Sequence, residues 1–139
     1  MNSSAFDPAF ATAAKTADAL RRKQISASEL LSHTFERIDR FNPKLNAIIW
    51  EDREGAVARA KQADEALAKG SVSGALHGVP VTIKESFAYR GSANTWGLPS
   101  LVDTRSPRTA VRGRAPRVGR SHRRRKDQRA GHARRLAEL

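Results

Sequence analysis

Residues 76–99 read LHGVPVTIKESFAYRGSANTWGLP, and no other segment constrains the architecture as tightly. Val79, Val81 and Ile83 alternate with Pro80 and Thr82, a period of two in β-branched residues that predicts a strand. Gly78 and Pro80 bracket its start, and Lys84 arrives at its C-terminal end, followed by Glu85 and Ser86. Removing an ammonium from water disfavours its charged form, so a lysine at the end of a buried strand is a candidate base. The plainer alternative is a lysine that leans its stem on the sheet and keeps its charge in water. The residues alone leave both open.

Upstream, the chain alternates helix and strand signals. Ala11 to Lys23 is rich in helix formers, with Ala14, Ala17 and Leu20 spaced for one face. Ser26 and Glu29 form a capping box ahead of Leu31, Phe35 and Ile38, and this second helix is expected to stop near Phe41, before Asn42-Pro43. Phe35 reads as core, and His33 as part of the wet face. Leu45 to Trp50 predicts a short strand, ended by Glu51 and Asp52. Asp52 is placed to cap a third helix running to about Lys69, with Gly70 as its stop and Val57, Ala60, Ala63 and Leu67 packing on a sheet. Ser71 to Gly74 reads as a flexible loop, and Ser86 to Pro99 as a loop rich in glycine and polar residues. The order helix, helix, strand, helix, strand argues for an α/β layered fold.

Residues 76–85 match the pattern L-x-G-[VI]-P-[VF]-x-[VIL]-K-[DE] at every specified place, and Ser86, Phe87, Gly91, Thr95, Trp96 and Gly97 continue the likeness. In these residues the chain resembles the amidase signature family, serine hydrolases that cleave carboxamides, and more loosely so from about residue 10 to about residue 111. The resemblance implies the N-terminal helices and first strands of a large mixed sheet covered by helices, here incomplete. It also implies a Ser–Ser–Lys triad that works without a cofactor on a small-molecule amide. One serine attacks the carbonyl, a bridging serine relays protons and the lysine, matched by Lys84, acts as base. The family's serines lie in a segment of the form G-G-S-S-G-G-S, which this sequence lacks; Ser71, Ser73, Ser86 and Ser92 match neither position. The A subunit of a tRNA-dependent amidotransferase shares the lysine segment, while T-W-G-x-P and Ser86-Phe87 favour a free-standing amidase.

Composition narrows the alternatives. The 139 residues allow at most one modest domain, and the lack of cysteine excludes disulfides and thiolate chemistry and fits a cytoplasmic setting. There is neither an apolar run long enough to span a membrane nor a basic segment preceding an apolar core, as a secretory signal needs. His77 has no convergent partners of the kind a metal site requires, and Gly91-Ser92 sits in no phosphate-cradling pattern, so neither metal nor cofactor is expected.

The net charge of +12 is unevenly distributed. Residues 1–104 hold 13 Lys+Arg against 12 Asp+Glu, whereas residues 105–139 hold 13 against 2 and no aromatic residue. The chain therefore divides into 1–104, the N-terminal part of an amidase domain, and 105–139, a basic tail expected to be disordered. A tail of this charge would bind phosphate backbones in a salt-dependent way, so a small basic nucleic-acid-binding protein is the competing class. The absence of stacking aromatics and of any nucleic-acid module argues against it. Translation out of frame explains the tail better, because arginine, glycine, alanine and proline are what a GC-rich gene yields in the wrong register. A permitted back-translation of residues 124–139, shifted by one base, reads VGRTNVPVMLADWQS, and the resembled family carries a G-K-T-N-x-P-like segment ending near D-W-Q-S at this distance. The slip falls near Val111. On this reading the chain is a truncated amidase that retains only the lysine of its triad and is inactive.

Overall fold

The computed structural model describes residues 6–110 and the strand at residues 134–136. Helix α1 spans Ala13–Arg21, with Thr12 as its N-cap; the Thr12 hydroxyl accepts from the Lys15 N–H at 3.3 Å. Thr16, Ala17, Ala19 and Leu20 are buried while Ala14 is exposed, so the buried stripe is centred one turn later than the expected Ala14–Ala17–Leu20 face.

Helix α2 spans Ala27–Leu45 and opens with the expected capping box. Ser26 Oγ accepts from Glu29 N–H at 3.1 Å, and Ser26 N–H donates to the Glu29 carboxylate at 2.8 Å. These bonds to Ser26 hold the Glu29 carboxyl below its ordinary range. A second carboxylate completes the cap: Asp64 accepts from Ala27 N–H at 2.6 Å, Ser28 N–H at 3.0 Å and the Ser28 hydroxyl at 2.6 Å. Four N–H groups at a helix start lack intrahelical acceptors, and here side chains satisfy all four, those of Ser26, Ala27, Ser28 and Glu29.

The expected stop near Phe41 is corrected, because α2 runs through Pro43 to Leu45. A proline in the last turn removes one backbone bond, and the closure that follows compensates for it. Asn46 takes the left-handed conformation and its N–H reaches the Asn42 carbonyl at 2.7 Å. The Asn42 side chain accepts from both Ala47 and Ile48 N–H at 2.9 Å and donates to the Ile48 carbonyl at 2.8 Å. Asn42 thus ties the end of α2 to strand β1, Ile48–Glu51, which begins three residues later than the predicted Leu45.

Helix α3, Arg53–Ala68, starts at Asp52, whose side chain accepts from Gly55 N–H at 3.0 Å, and is left behind at Gly70 with φ +73°. Its buried face is Ala56, Ala60 and Ala63; Val57 is exposed and Leu67 half-buried. The face packs on α2 instead of the expected sheet. The core joins these alanines to Ala17, Leu20, Ala27, Leu30, Leu31 and Val79, with Ile25, Phe35, Ile38, Ile48 and Leu76 at its margin. Phe35 therefore touches the core without being enclosed by it; Arg53 lies 4.7 Å from its ring centroid. Arg53 also pairs with Asp39 of α2 and, at 2.7 Å, with Glu51 of β1. Hydrogen bonding to Arg53 holds the Asp39 carboxyl below its ordinary range and raises the guanidinium further. His33 is half-buried, not on a fully wet face.

Strand β2 is confined to Thr82–Lys84, shorter than the predicted run from Val79, because Val79 N–H closes a turn on the Leu76 carbonyl at 3.1 Å and its side chain enters the helical core. Strands β1 and β2 do not pair with each other. Strand β3, Arg134–Leu136, lies between them, parallel to β1 and antiparallel to β2, with Ile83 opposite Arg135. The expectation of a disordered tail falls mainly on residues outside those described.

Replacement of Asp64 by alanine removes one acceptor from three donors at the start of α2. It is expected to lower the free energy of unfolding by about 1–3 kcal/mol, more than Ser26→Ala at about 1 kcal/mol. Urea unfolding followed by far-UV circular dichroism checks this; an Asp64→Ala effect no larger than that of Ser26→Ala would show that Asp64 is no clamp.

Candidate active site

The approach to β2 is fixed by close packing. Gly78 has φ +76°, and a Cβ there would lie 3.2 Å from Ala27 Cβ and 3.3 Å from Leu20 Cδ1. Only glycine meets both demands, since the conformation is strained for other residues and the space is already taken by α1 and α2. Next to it, His77 bridges two segments. Its Nε2 lies 2.9 Å from the Ala63 carbonyl, which can only accept, and its Nδ1 lies 3.1 Å from the Ser73 N–H, which can only donate. The carbonyl partner places a hydrogen on Nε2. His77 is thereby a strut between α3 and the 71–74 loop. Arg21 adds a further tie by donating to the Ala75 carbonyl at 2.5 Å.

Strand β2 ends at Lys84, and Glu85 opens the turn that follows, closed by Phe87 N–H on the Lys84 carbonyl at 2.9 Å. Lys84 is exposed and Glu85 is 5% exposed. The Glu85 carboxylate accepts from the N–H of Thr95, in a very short bond, and from that of Trp96 at 3.1 Å. The acidic residue that follows the lysine and the T-W-G element ten residues on are therefore one physical unit. Sequence reasoning placed no role on Glu85; the signal that carries it is the acidic residue directly after Lys84.

The rest of the 85–110 segment is an irregular loop held by its own hydrogen bonds. Gly91 N–H donates to the Ser106 carbonyl at 2.9 Å, Ser106 N–H to the Ser92 carbonyl at 3.1 Å, and Ala110 N–H to the Ala88 carbonyl at 2.8 Å. A short 3-10 turn, Pro99–Leu101, lies at its far end. Tyr89 is buried and its ring stands 5.8 Å from that of Trp50 in β1, which ties the loop to the sheet. Ser92 is enclosed and donates to the Tyr89 carbonyl at 2.7 Å, Ser73 is held by His77, and Ser86 is half-buried. The fold does not gather these serines around Lys84. Among the described residues there is no group of three or more His, Cys, Asp or Glu able to hold a metal ion, and no helix long and apolar enough to cross a membrane.

A family model described as Amidase matches residues 29–112. The chain is 40% identical over 99 residues to an indoleacetamide hydrolase of Bradyrhizobium diazoefficiens, covering 71% of this chain and 19% of that protein. It is 40% identical over 100 residues to the A subunit of the glutamyl-tRNA(Gln) amidotransferase of Chromobacterium violaceum, covering 72% of this chain and 20% of that one. The corresponding protein of an Azoarcus species is 43% identical over 89 residues, with 64% and 18% covered. The chain thus spans about a fifth of the length of the curated relatives it matches.

The packing at Gly78 separates strain from space. Gly91 has φ +78° with nothing within 4 Å of an added Cβ, so Gly91→Ala bears the backbone strain alone, about 1–2 kcal/mol. Gly78→Ala bears the same strain plus the displacement of α1 against α2, and is expected to cost about 1–3 kcal/mol more. Equal losses in urea unfolding would show that the helices yield freely at this contact.

Proposed function

The chain belongs to the amidase family, and we propose that its chemistry is the hydrolysis of a carboxamide to a carboxylate and ammonia or an amine, with Lys84 as the general base. The observation that carries this reading is Lys84 at the end of β2, inside the matched region, with Glu85 directly behind it fastening the Thr95–Trp96 turn. In the Ser–Ser–Lys scheme an uncharged lysine takes the proton that the attacking serine loses, by way of the bridging serine. The proton is then returned to the leaving nitrogen.

The 139 residues supply one of the three groups. The two serines and the backbone donors for the oxyanion belong to a Gly/Ser-rich segment that the sequence does not contain. Removal of a nucleophile or an oxyanion donor each takes several kcal/mol from transition-state stabilisation. Lys84 is exposed among the described residues. On this reading the chain by itself is inactive.

The family match ends at residue 112, close to where the charge balance changes. This supports the further part of the proposal, that residues from about Val111 onward are written in a shifted register and that 105–139 form a basic tail distinct from the amidase portion of 1–104. A nucleic-acid-binding tail is the competing class and would show binding that falls steeply with salt. A cytoplasmic setting fits the cysteine-free composition. The substrate is a small-molecule amide. A second reading, a fragment of an amidotransferase A chain, is supported by likeness to such proteins at identities similar to that with indoleacetamide hydrolase.

The purified chain is expected to release no ammonia from indole-3-acetamide or glutamine above the uncatalysed background. Sequencing the gene across codons 100–140 and beyond is expected to reveal a one-base lesion followed by a frame encoding the Gly/Ser-rich segment. In the protein made from the restored frame, Lys84→Met should lower kcat about a thousandfold or more. Ammonia release by the 139-residue chain would sink the inactivity, and a fully active Lys84→Met protein would sink the assignment of the base.

A further inference from the structure

Among the described residues three that are not glycine take the left-handed conformation: Lys23 with φ 56°, Asn46 with φ 46° and Trp96 with φ 53°. Lys23 and Asn46 follow the C-terminal ends of α1 and α2, where that conformation closes a helix. Trp96 ends no helix. For a bulky side chain this backbone is unfavourable and persists only where the surroundings impose it. Here the buried Glu85 carboxylate imposes it, by taking the N–H groups of Thr95 and Trp96, and the turn is closed by Leu98 N–H on the Thr95 carbonyl at 2.8 Å.

Burial does not compensate for the strain. Trp96 is 67% exposed, whereas the other tryptophan, Trp50, is half-buried against Tyr89. A strained backbone and a buried carboxylate therefore hold an indole out in solvent, on a turn fastened to the residue directly after Lys84. Leu98 and Phe87 extend the exposed apolar surface on the same loop.

We propose that Trp96 is a stacking platform for the flat ring of an aromatic carboxamide. The proposal rests on the amidase reading and adds to it a substrate class and the residue that selects it. An indole face gains a directional ring–ring term with an aromatic partner, which an aliphatic ring of the same size does not provide. The expected preference is about two- to tenfold in affinity.

The test uses the full 139-residue chain carrying Trp50→Phe, so that Trp96 is the remaining tryptophan, with benzamide and cyclohexanecarboxamide as probes. Expected is a saturable change in Trp96 emission with benzamide, binding about two- to tenfold tighter than cyclohexanecarboxamide, and loss of that preference in Glu85→Ala with the helical signal retained. Where Glu85→Ala does not fold, Trp96→Leu replaces it, with binding read from the ligand's own NMR signals; loss of the benzamide preference is expected there too. No saturable response, equal affinity for the two amides, or an unchanged preference in either variant overturns the proposal. Because no turnover is measured, a failure of Lys84 as base would leave this result intact, and the two readings fall separately.

Discussion

The carboxylate of Asp64, set in the middle of α3, caps the first turn of α2 through three hydrogen bonds. That contact positions everything downstream of it. It fixes the two helices at the separation that Ala27, Ala56, Ala60 and Ala63 require, since alanine faces gain little from burial unless the backbones come close. The chain entering β2 passes over α1 and α2 at a glycine, Gly78, where a Cβ would meet Leu20 and Ala27, and Val79 joins the same core. Asp64 acts as clamp and spacer together, and Lys84 follows a few residues beyond the crossing point.

From there the chain leaves the strand and turns, Phe87 N–H closing on the Lys84 carbonyl. One residue step turns Lys84 outward and Glu85 inward, and the inward carboxylate collects the Thr95–Trp96 turn. Two sequence elements that stand ten residues apart are thereby coupled through two hydrogen bonds to an ionisable oxygen pair, stronger than neutral bonds of the same length.

Much of this is legible in the residues, and the departures share a cause. The capping box at Ser26 and Glu29, the Asp52 cap and the Gly70 stop are local signals, complete within a few residues, and the structure places all of them. The end of α2 escapes a local reading because Asn42-Pro43 looks like a breaker, whereas the closure belongs to Asn42 and Asn46 acting on Ala47 and Ile48 across the turn. The expected α3 face begins at Val57, whereas the structure buries Ala56 with Ala60 and Ala63 and leaves Val57 exposed, because the face packs on α2 and not on a sheet. The strand expected from Val79 is shortened by the same crossing at Gly78. Within the candidate site, Lys84 carries a pattern of its own, but the partners of Glu85, at Thr95 and Trp96, arise only when the loop closes back.

The same distinction bears on chemistry. A lone general base can be encoded in ten residues, because a strand end and a glycine suffice to place it. A Ser–Ser–Lys mechanism needs three side chains and an oxyanion site from separate segments to converge within hydrogen-bond reach. On the proposed reading the described residues hold one of those groups: Lys84 stands exposed, while Ser92 is turned into the loop interior and Ser73 is held at His77. On that reading they place Lys84 without the nucleophile it would serve. The proposed chemistry therefore calls for a nucleophile and oxyanion donors brought to the lysine from another segment.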